Sequence, residues 1–344
     1  MDKIIECVPN FSEGRDRQVI DAIGTSVREV AGAALLGIEP DKDYNRTVVT
    51  FVGSPDAVGE AAYQATKTAA NLIDMSRHKG EHPRIGAADV VPFVPIRGVT
   101  MEDCVALSKR YGERVARELH IPVYLYEYAA SAPYRKNLSD IRKGEYEELP
   151  QKIADPAWKP DFGESVFNPK SGATVTGARK VLIAYNVNLN TDNQKLAHEI
   201  SLRIRESGRI MKDGYGKQMS NERGESIKIP GTLKSVKAIG VFLKRFNIAQ
   251  VSINLVDYET TSMHDVFEEV KKQAHSLDME ATGSELVGLA PLEALLKAGR
   301  FYAGQDKLND DEYVSLAIDK LGLSRLEPFD PKKKIIEYRM KGEG

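Results

Sequence analysis

The sequence predicts an α/β (α+β) fold built from two subdomains. The chain has 344 residues, which is enough for two compact units, and its composition of 42% hydrophobic and 28% charged residues is that of an ordinary globular protein. Each half also follows the order strand, helix, strand, strand, helix, which is the order of ferredoxin-like units. We therefore expect two ferredoxin-like subdomains, 1–178 and 179–326, each a mixed sheet with helices on one face, a ligand groove between them, and a tail at 327–344.

Hydrophobic periodicity places the elements of the first half. Alternating or continuous apolar runs predict strands, and apolar residues at helical spacing predict helices. Ser54 and Pro55 are typical of a helix start, and Thr100 with Asp103 resembles a capping box. The predicted strands are 4–8, 33–38, 47–52, 90–96 and 122–128, and the predicted helices are 19–30, 54–73, 100–119 and 137–143.

The second half repeats this order in a weaker form. Lys180 to Asn190 resembles Lys3 to Glu13, because both read as a strand followed by a loop that carries asparagine. The insert Met211–Gly231, rich in Gly, Lys and Glu, is predicted to be a mobile loop. The predicted helices are 192–207, one from 262, 291–298 and 310–321, and the predicted strands are 180–187, 236–242 and 251–256.

The stretch from Arg77 to Asp89 carries the densest chemistry in the chain. It lies between a predicted helix and a predicted strand, where functional loops are commonly mounted. His78, Glu81 and His82 match the spacing of an inverted zinc-protease motif, which needs both histidines on one helical face. Gly80 and Pro83 disfavour a helix there, so we expect no metal site and keep the zinc hydrolase only as an alternative.

His82 then remains as a single imidazole fixed by the following proline. Imidazole gives and takes a proton near neutral pH, so it suits a transfer between two nitrogens. A purely structural hydrogen bond from His82 to its own loop is the alternative interpretation.

Four motifs, in order, resemble the glutamate formimidoyltransferase family. They are Cys7-Val-Pro-Asn-Phe-Ser-Glu-Gly14, Asn45-Arg-Thr47, His82-Pro-Arg-Ile-Gly-Ala-Ala-Asp89 and Gly172-Ala-Thr-Val-Thr-Gly-Ala-Arg179. The resemblance runs from Ile5 to about Tyr338. It implies transfer of a formimino group between N-formimidoyl-L-glutamate and N5 of tetrahydrofolate, in histidine degradation. It also implies that His82 is catalytic and that tetrahydrofolate is a co-substrate. Transfer of a formyl group at the same folate site remains an alternative.

The resemblance and the residue chemistry together nominate the binding residues. By position in the family, the folate site is expected at Gly163, Glu164, Ser165, Val166, Phe167, Asn168, Pro169, Lys170, Ser171 and Gly172. Small residues there would let a flat ring approach the backbone, and Lys170 would meet an anionic tail. Candidate residues for positioning the substrate are Asn10, Glu39, Asn45, Arg46 and Arg84.

Composition limits the partners. A formal charge of −2 gives no general electrostatic attraction to nucleic acid. Cys7 and Cys104 are too few for a disulfide framework and are expected to be buried. No signal segment or long apolar span is present, so we expect a cytoplasmic protein without membrane contact. The resemblance further implies a homodimer, with no fused cyclodeaminase domain.

Overall fold

A computed structural model describes residues 3–221 and 223–342. The chain divides into two compact units, Met1–Lys180 and Val181–Gly344. Each unit combines a β-sheet with α-helices, so the predicted α+β class is confirmed.

The first unit contains seven strands and five α-helices among its described residues. Its strands are β1 (Ile4–Cys7), β2 (Asn10–Phe11), β3 (Ala33–Asp41), β4 (Arg46–Gly53), β5 (Ala88–Arg97), β6 (Val123–Glu127) and β7 (Thr174–Ala178). Its helices are α1 (Arg17–Arg28), α2 (Pro55–Leu72), α3 (Met101–Leu119), α4 (Leu138–Arg142) and α5 (Leu149–Ala154), with 3₁₀ turns at Pro133–Arg135 and Pro156–Trp158.

The seven strands form one mixed sheet. β1 and β2 both pair with β4 on one side and β5 on the other, and β3 extends the sheet beyond β4. These pairings are antiparallel, whereas β5, β7 and β6 run parallel to one another. The antiparallel part reproduces the predicted ferredoxin-like order, and the two parallel strands extend it.

Both faces of this sheet are packed near β5. The three long helices share one core with the sheet, and Phe51, Phe93 and Val115 are fully buried in it. On the opposite face a second apolar cluster joins Tyr124 of β6 to Ile141 of α4. The expectation of helices on one face is therefore wrong for the first unit, because the alternation of β5 to β7 presents apolar side chains to both sides.

The second unit contains a four-stranded antiparallel sheet and six α-helices within the part of the chain that the structure describes. The sheet order is β11 (Val236–Leu243), β12 (Ile248–Leu255), β8 (Ile183–Leu189) and β13 (Ala281–Val287). The helices are α6 (Gln194–Ile204), α7 (Met263–His275), α8 (Leu292–Ala303), α9 (Asp310–Lys320), α10 (Pro331–Lys334) and α11 (Ile336–Gly342). α6 packs on β11 and β12, and α7 packs on β8 and β13, so these two helices cover the sheet.

Two segments of the second unit differ from the expectation. The insert 211–231, expected to be a mobile loop, is flanked and crossed by short antiparallel pairings, including β9 (Arg209–Ile210) with β10 (Lys228–Ile229). The segment expected as a tail forms α10 and α11, and Ile335 and Ile336 between them are fully buried. Within residues 3–221 and 223–342, no helix is long and apolar enough to cross a membrane.

The two cysteines are buried, as the sequence predicts, and they yield a first test. Cys7 and Cys104 have no exposed surface, and burial raises the pKa of Cys104 to about 12 and that of Cys7 well above its ordinary value. Only the thiolate reacts readily. We expect neither thiol to react with a disulfide reagent at pH 8 in the native protein and both to react in denaturant. Fast reaction of the native protein would contradict this packing.

Candidate active site

Three segments of the first unit meet at one edge of its sheet. The start of β2 brings Asn10, the start of β4 brings Arg46, and the loop before β5 brings His82. Asn10 pairs with Val48 and Val90, and side chains alternate along a strand, so Asn10 and Arg46 share the face opposite the long helices. The structure thus brings together three of the predicted site residues.

The turn before β4 is fixed by Asn45. This residue has a left-handed backbone (φ 48°), which asparagine tolerates better than most residues. Its side-chain Oδ1 accepts from Gly14 N at 2.9 Å, and its Nδ2 donates to Lys79 O at 3.0 Å. A Cβ on Gly80 would lie 2.4 Å from Tyr44 O, so the glycine lets the His82 loop pack directly on this turn. Asn45, predicted to contact substrate, therefore holds three backbone segments in place.

Arg46 contacts His82 directly. Its Nη1 lies 3.2 Å from His82 Nε2 and also donates to Asn10 Oδ1 at 3.0 Å. Because a guanidinium group can only donate, His82 Nε2 accepts, and the neutral ring carries its proton on Nδ1. Among the described residues no carboxylate lies within salt-bridge distance of Arg46, so its charge meets only neutral acceptors.

The surroundings keep His82 uncharged. Partial burial lowers its pKa to about 4, and the positive charges of Arg142 and Arg46 act in the same direction. A hydrogen bond with the Pro83 backbone opposes them more weakly. The Tyr44 ring meets the imidazole edge-on, with centroids 6.1 Å apart. His82 is therefore a neutral imidazole at physiological pH, available as a proton acceptor.

His78 has a different environment from His82. Its Nε2 lies 2.9 Å from Asn45 O, to which it can only donate, and its Nδ1 accepts from Arg84 Nε at 3.2 Å. Residues 78–82 form no helix, as the glycine and proline predict. Both ring nitrogens of His78 are therefore used in holding the Asn45 turn.

Arg84, predicted as an anchor for a substrate carboxylate, already has carboxylate partners. Its Nη2 donates to Glu147 Oε1 at 2.6 Å, and its Nη1 contacts Glu145 and Glu147 at 2.8 Å. Only 5% of the residue is exposed. We correct that assignment: Arg84 ties the His82 loop to the segment between α4 and α5.

Glu39, a candidate for positioning the substrate, lies on β3 beside the strand that carries Arg46. It is exposed on β3, opposite Val48, and no hydrogen bond joins it to His82 among the described contacts. Its charge acts on Arg46 only through space, together with the stronger contribution of Asp41. Asp41 Oδ1 accepts from the Asp43 and Tyr44 backbone amides and so forms the turn.

The segment 163–172 runs toward the same sheet edge. Its end pairs with the His82 loop through the bridge Gly86–Gly172. Lys170 Nζ donates to Asn71 O at 2.7 Å near the end of α2, and Asn168 Oδ1 accepts from Ser171 N. One of the three donors of the Lys170 ammonium group thus caps α2, and its contact with an anionic tail stays a prediction.

A cavity of about 540 Å³ lies along the other part of this segment. Its wall combines the end of α3 with the loop 163–169 and includes the exposed Val166, Phe167, Arg117 and His120. An apolar wall with a cation at its rim is typical of a pocket for a flat, anionic ligand.

A neutral imidazole beside an arginine that meets no carboxylate within the described contacts can accept a proton near an anion, which is the chemistry of an acid–base catalyst. Two family models match the chain: the formiminotransferase domain, N-terminal subdomain, over residues 4–179, and the formiminotransferase domain over residues 184–341. The chain belongs to the formiminotransferase family. The resemblance inferred from the four motifs is confirmed.

Full-length relatives give the same result. Glutamate formimidoyltransferase of Streptococcus pyogenes serotype M1 is 40% identical over 99% of this chain and 100% of the relative. The enzyme of that name from Thermoplasma acidophilum is 41% identical over 92% and 98%. Formimidoyltransferase-cyclodeaminase of Mus musculus is 50% identical, but this chain spans 61% of its length. A solved structure of complex III from Candida albicans aligns with a TM-score of 0.18, too low to support any argument.

Sequence reasoning missed two residues of this site. Asp89 is fully buried and close to Arg142, and Arg142 is the largest electrostatic influence on the pKa of His82. Asp89 closes the histidine motif, so an acidic residue entering a buried strand was an available signal. Arg142 ends a helix of five residues and has no such signal.

Gly172 provides a second test. It was expected to make room for folate, but its φ of 66° and its contact with the chain give it a structural role, since an added Cβ would lie 2.1 Å from Ile85 O. We expect Gly172→Ala to destabilise the protein by about 1–3 kcal/mol. The measurement is the urea midpoint of the first unit's unfolding. Gly214→Ala is the control, because its Cβ would meet nothing within 4 Å; equal midpoints for the two variants would contradict this role.

Proposed function

We propose that this chain is a glutamate formimidoyltransferase that moves the formimino group between N-formimidoyl-L-glutamate and N5 of tetrahydrofolate, in histidine degradation. The observation that carries the proposal is the Arg46–His82 contact, in which a neutral proton acceptor lies beside a cation without a counter-charge. The names of the full-length relatives support the same substrates.

The transfer requires one proton acceptor and one proton donor. The folate nitrogen bonds to the formimino carbon and must lose a proton, while the bond from that carbon to the glutamate nitrogen breaks and that nitrogen must gain one. His82 serves both steps, because the same imidazole accepts the first proton and returns it to the departing amine. No other proton donor or acceptor is needed for the atoms to balance.

Arg46 controls when His82 can accept. In the free protein the guanidinium group occupies the lone pair of Nε2. A substrate carboxylate would compete for Arg46, release Nε2 and offset one of the charges that lower its pKa. A base works best when its pKa lies near the working pH, so binding of the anion would bring His82 toward that range.

Folate is proposed to use the cavity beside residues 163–169. The apolar wall of Val166 and Phe167 suits a flat ring, and Arg117, whose Nη2 lies 2.9 Å from Glu118 Oε1, is the cation at a rim that Glu164 also lines. Direct measurement of tetrahydrofolate binding to Val166→Lys and Arg117→Glu variants would test this position. Normal affinity in both would move the folate site elsewhere.

Proton transfer accounts for the two histidines better than zinc chemistry does. The acceptor nitrogen of each ring faces an arginine. Nε2 of His82 faces Arg46, and Nδ1 of His78 faces Arg84. A zinc ion bound by both histidines would need the lone pairs of these two nitrogens, and the two guanidinium charges beside them would repel it.

The cellular setting and assembly are part of the proposal. Following the family resemblance, we propose a cytoplasmic homodimer in which the two compact units act as the two subdomains. Light scattering during size-exclusion chromatography would measure the mass directly.

The decisive assay uses purified protein, tetrahydrofolate and N-formimidoyl-L-glutamate, with N-formyl-L-glutamate in a parallel reaction. We expect folate-dependent release of glutamate, faster from the formimidoyl compound. Absence of transfer from it would refute the proposed function.

The two histidines should respond differently to the same substitution. We expect His82→Gln to lose roughly 10²–10⁴-fold in kcat, because an amide cannot cycle a proton. His78→Gln is the matched control: its amide can donate to Asn45 O and accept from Arg84, so substantial activity should remain. Equal losses, with zinc bound by the parent and absent from both variants, would favour the metal mechanism.

The pKa of His82 gives a further test that needs no turnover. Titration of the imidazole by NMR, assigned with the His82→Gln variant, should give a value near 4 in the free protein. Arg46→Gln should raise it, because removing a nearby cation favours the protonated ring. An ordinary value of about 6.5 in the parent protein would contradict the environment described above.

A further inference from the structure

Arg142 lies beside the candidate active site and has few partners. It ends α4, and its Nη2 forms a close contact with Asp89 Oδ2. Asp89 is itself fixed, since its Oδ1 accepts from Ile85 N at 2.9 Å. Within the described hydrogen bonds, Asp89 is the sole acceptor for this guanidinium group, and its buried Nε has none.

Arg135 shows what a structural arginine looks like in the same unit. It is also buried and paired with an aspartate, Asp161, at 3.0 Å. Its Nη2, however, donates to Ala157 O and Lys159 O as well, and aromatic rings surround it. Among the described contacts Arg142 has no such additional acceptors, so part of its donor fork remains available for an anion.

Arg142 does not serve to cap its helix. The carbonyls at the end of α4 are met by Lys152, whose Nζ donates to Ile141 O and to Lys143 O. Its positive charge instead reaches the active site, because it lowers the pKa of both His82 and Arg46. A fixed, partly satisfied cation therefore stands next to the proton acceptor.

We propose that Arg142, held by Asp89, is a specificity-determining residue that binds the γ-carboxylate of the amino-acid substrate, an inference that rests on the proposed function. Arg46 touches His82, so the carboxylate bound there is the α-carboxylate, one carbon away from the nitrogen that must reach the imidazole. Arg142 is held by Asp89 and makes no described hydrogen bond to His82, so it suits the carboxylate at the far end of the side chain. The pair of arginines would thus select a dicarboxylic amino acid.

The test compares N-formimidoyl-L-glutamate with N-formimidoyl-L-glutamine, which lacks the γ-charge. In the parent protein we expect a much higher kcat/KM for the glutamate compound. Arg142→Gln should raise KM for that compound about ten- to a hundredfold, the loss of one charge-assisted hydrogen bond, and any change in kcat that follows from the altered pKa of His82 should be the same for both compounds. KM for the glutamine compound should hardly change, so discrimination between the two should largely disappear.

Two further variants keep the test informative if removal of the buried charge impairs folding. Arg142→Gln combined with Asp89→Asn leaves no unpaired buried carboxylate. It should lose discrimination while remaining folded. Arg142→Lys retains the charge and should retain part of the discrimination. Arg135→Gln combined with Asp161→Asn is the matched control and should preserve it.

An NMR titration of His82 tests whether Arg142 lies close enough to act on the imidazole or has only a structural role. The groups that face the ring are Arg46 from β4, Arg142 from α4, Arg84 from its own loop and the ring edge of Tyr44. Removal of Arg142 and Asp89 together should raise the pKa of His82. The control pair at Arg135 and Asp161 should leave it unchanged.

The outcomes are distinct from those that test the proposed function. If the parent protein transfers no formimino group, the function fails, whatever the variants do. If the parent is active but Arg142→Gln and the double variant discriminate as the parent does, this inference fails and the function stands. Unchanged His82 titration in a folded double variant would likewise overturn it.

Discussion

The contact between Arg46 and His82 is the interaction on which the candidate site depends. It fixes the tautomer of the imidazole, adds to burial and to the charge of Arg142 in lowering its pKa, and places beside the ring a guanidinium group that meets no carboxylate within the described contacts. The contact forms because the start of β4 and the loop before β5 pack against each other at one edge of the sheet. Anything that shifts either segment changes the charge state of the histidine as well as its position.

That alignment is maintained by Asn45. Its left-handed backbone, its two side-chain hydrogen bonds and its carbonyl bond from His78 join the Gly14 loop, the β4 start and the His82 loop. Arg84 extends the same network to Glu147. Since each hydrogen bond contributes only about 1 kcal/mol net, the network matters chiefly by restricting geometry. Asn45 and Arg84, which the sequence nominates as substrate-positioning residues, thus have a structural role.

The sequence predicted the elements whose ends carry clear chemistry. Ser54, Thr100 and Ser262 cap helices as their patterns indicate. β7 and β13 were missed, because a glycine interrupts each run, Gly177 in the first and Gly283 in the second. Their pairing partners, rather than their own side chains, make them strands. The predicted fold class was right, but the first sheet contains more strands than the sequence predicted.

The dependence on distant partners also limits what the sequence predicts about the candidate site. His82, Asn10 and Arg46 could be nominated because their functional groups suit the chemistry, and the structure brings them together. Whether a cation already has a partner is decided by distant segments, and no local pattern reveals that Arg84 meets Glu147 while Arg46 meets no carboxylate within the described contacts.

Under the proposed function, the motif from His82 to Asp89 therefore combines a catalytic role with a structural one. Ile85 donates its backbone amide to Asp89, and Gly86 accepts from Ser12 Oγ at 2.7 Å while pairing with Gly172. Asp89 in turn holds Arg142. Because these bonds set where His82 and two arginines stand, substitutions within the motif will reduce activity even where the altered side chain touches no substrate. Loss of activity alone thus identifies no catalytic residue here; the charge state of His82 must be measured with it.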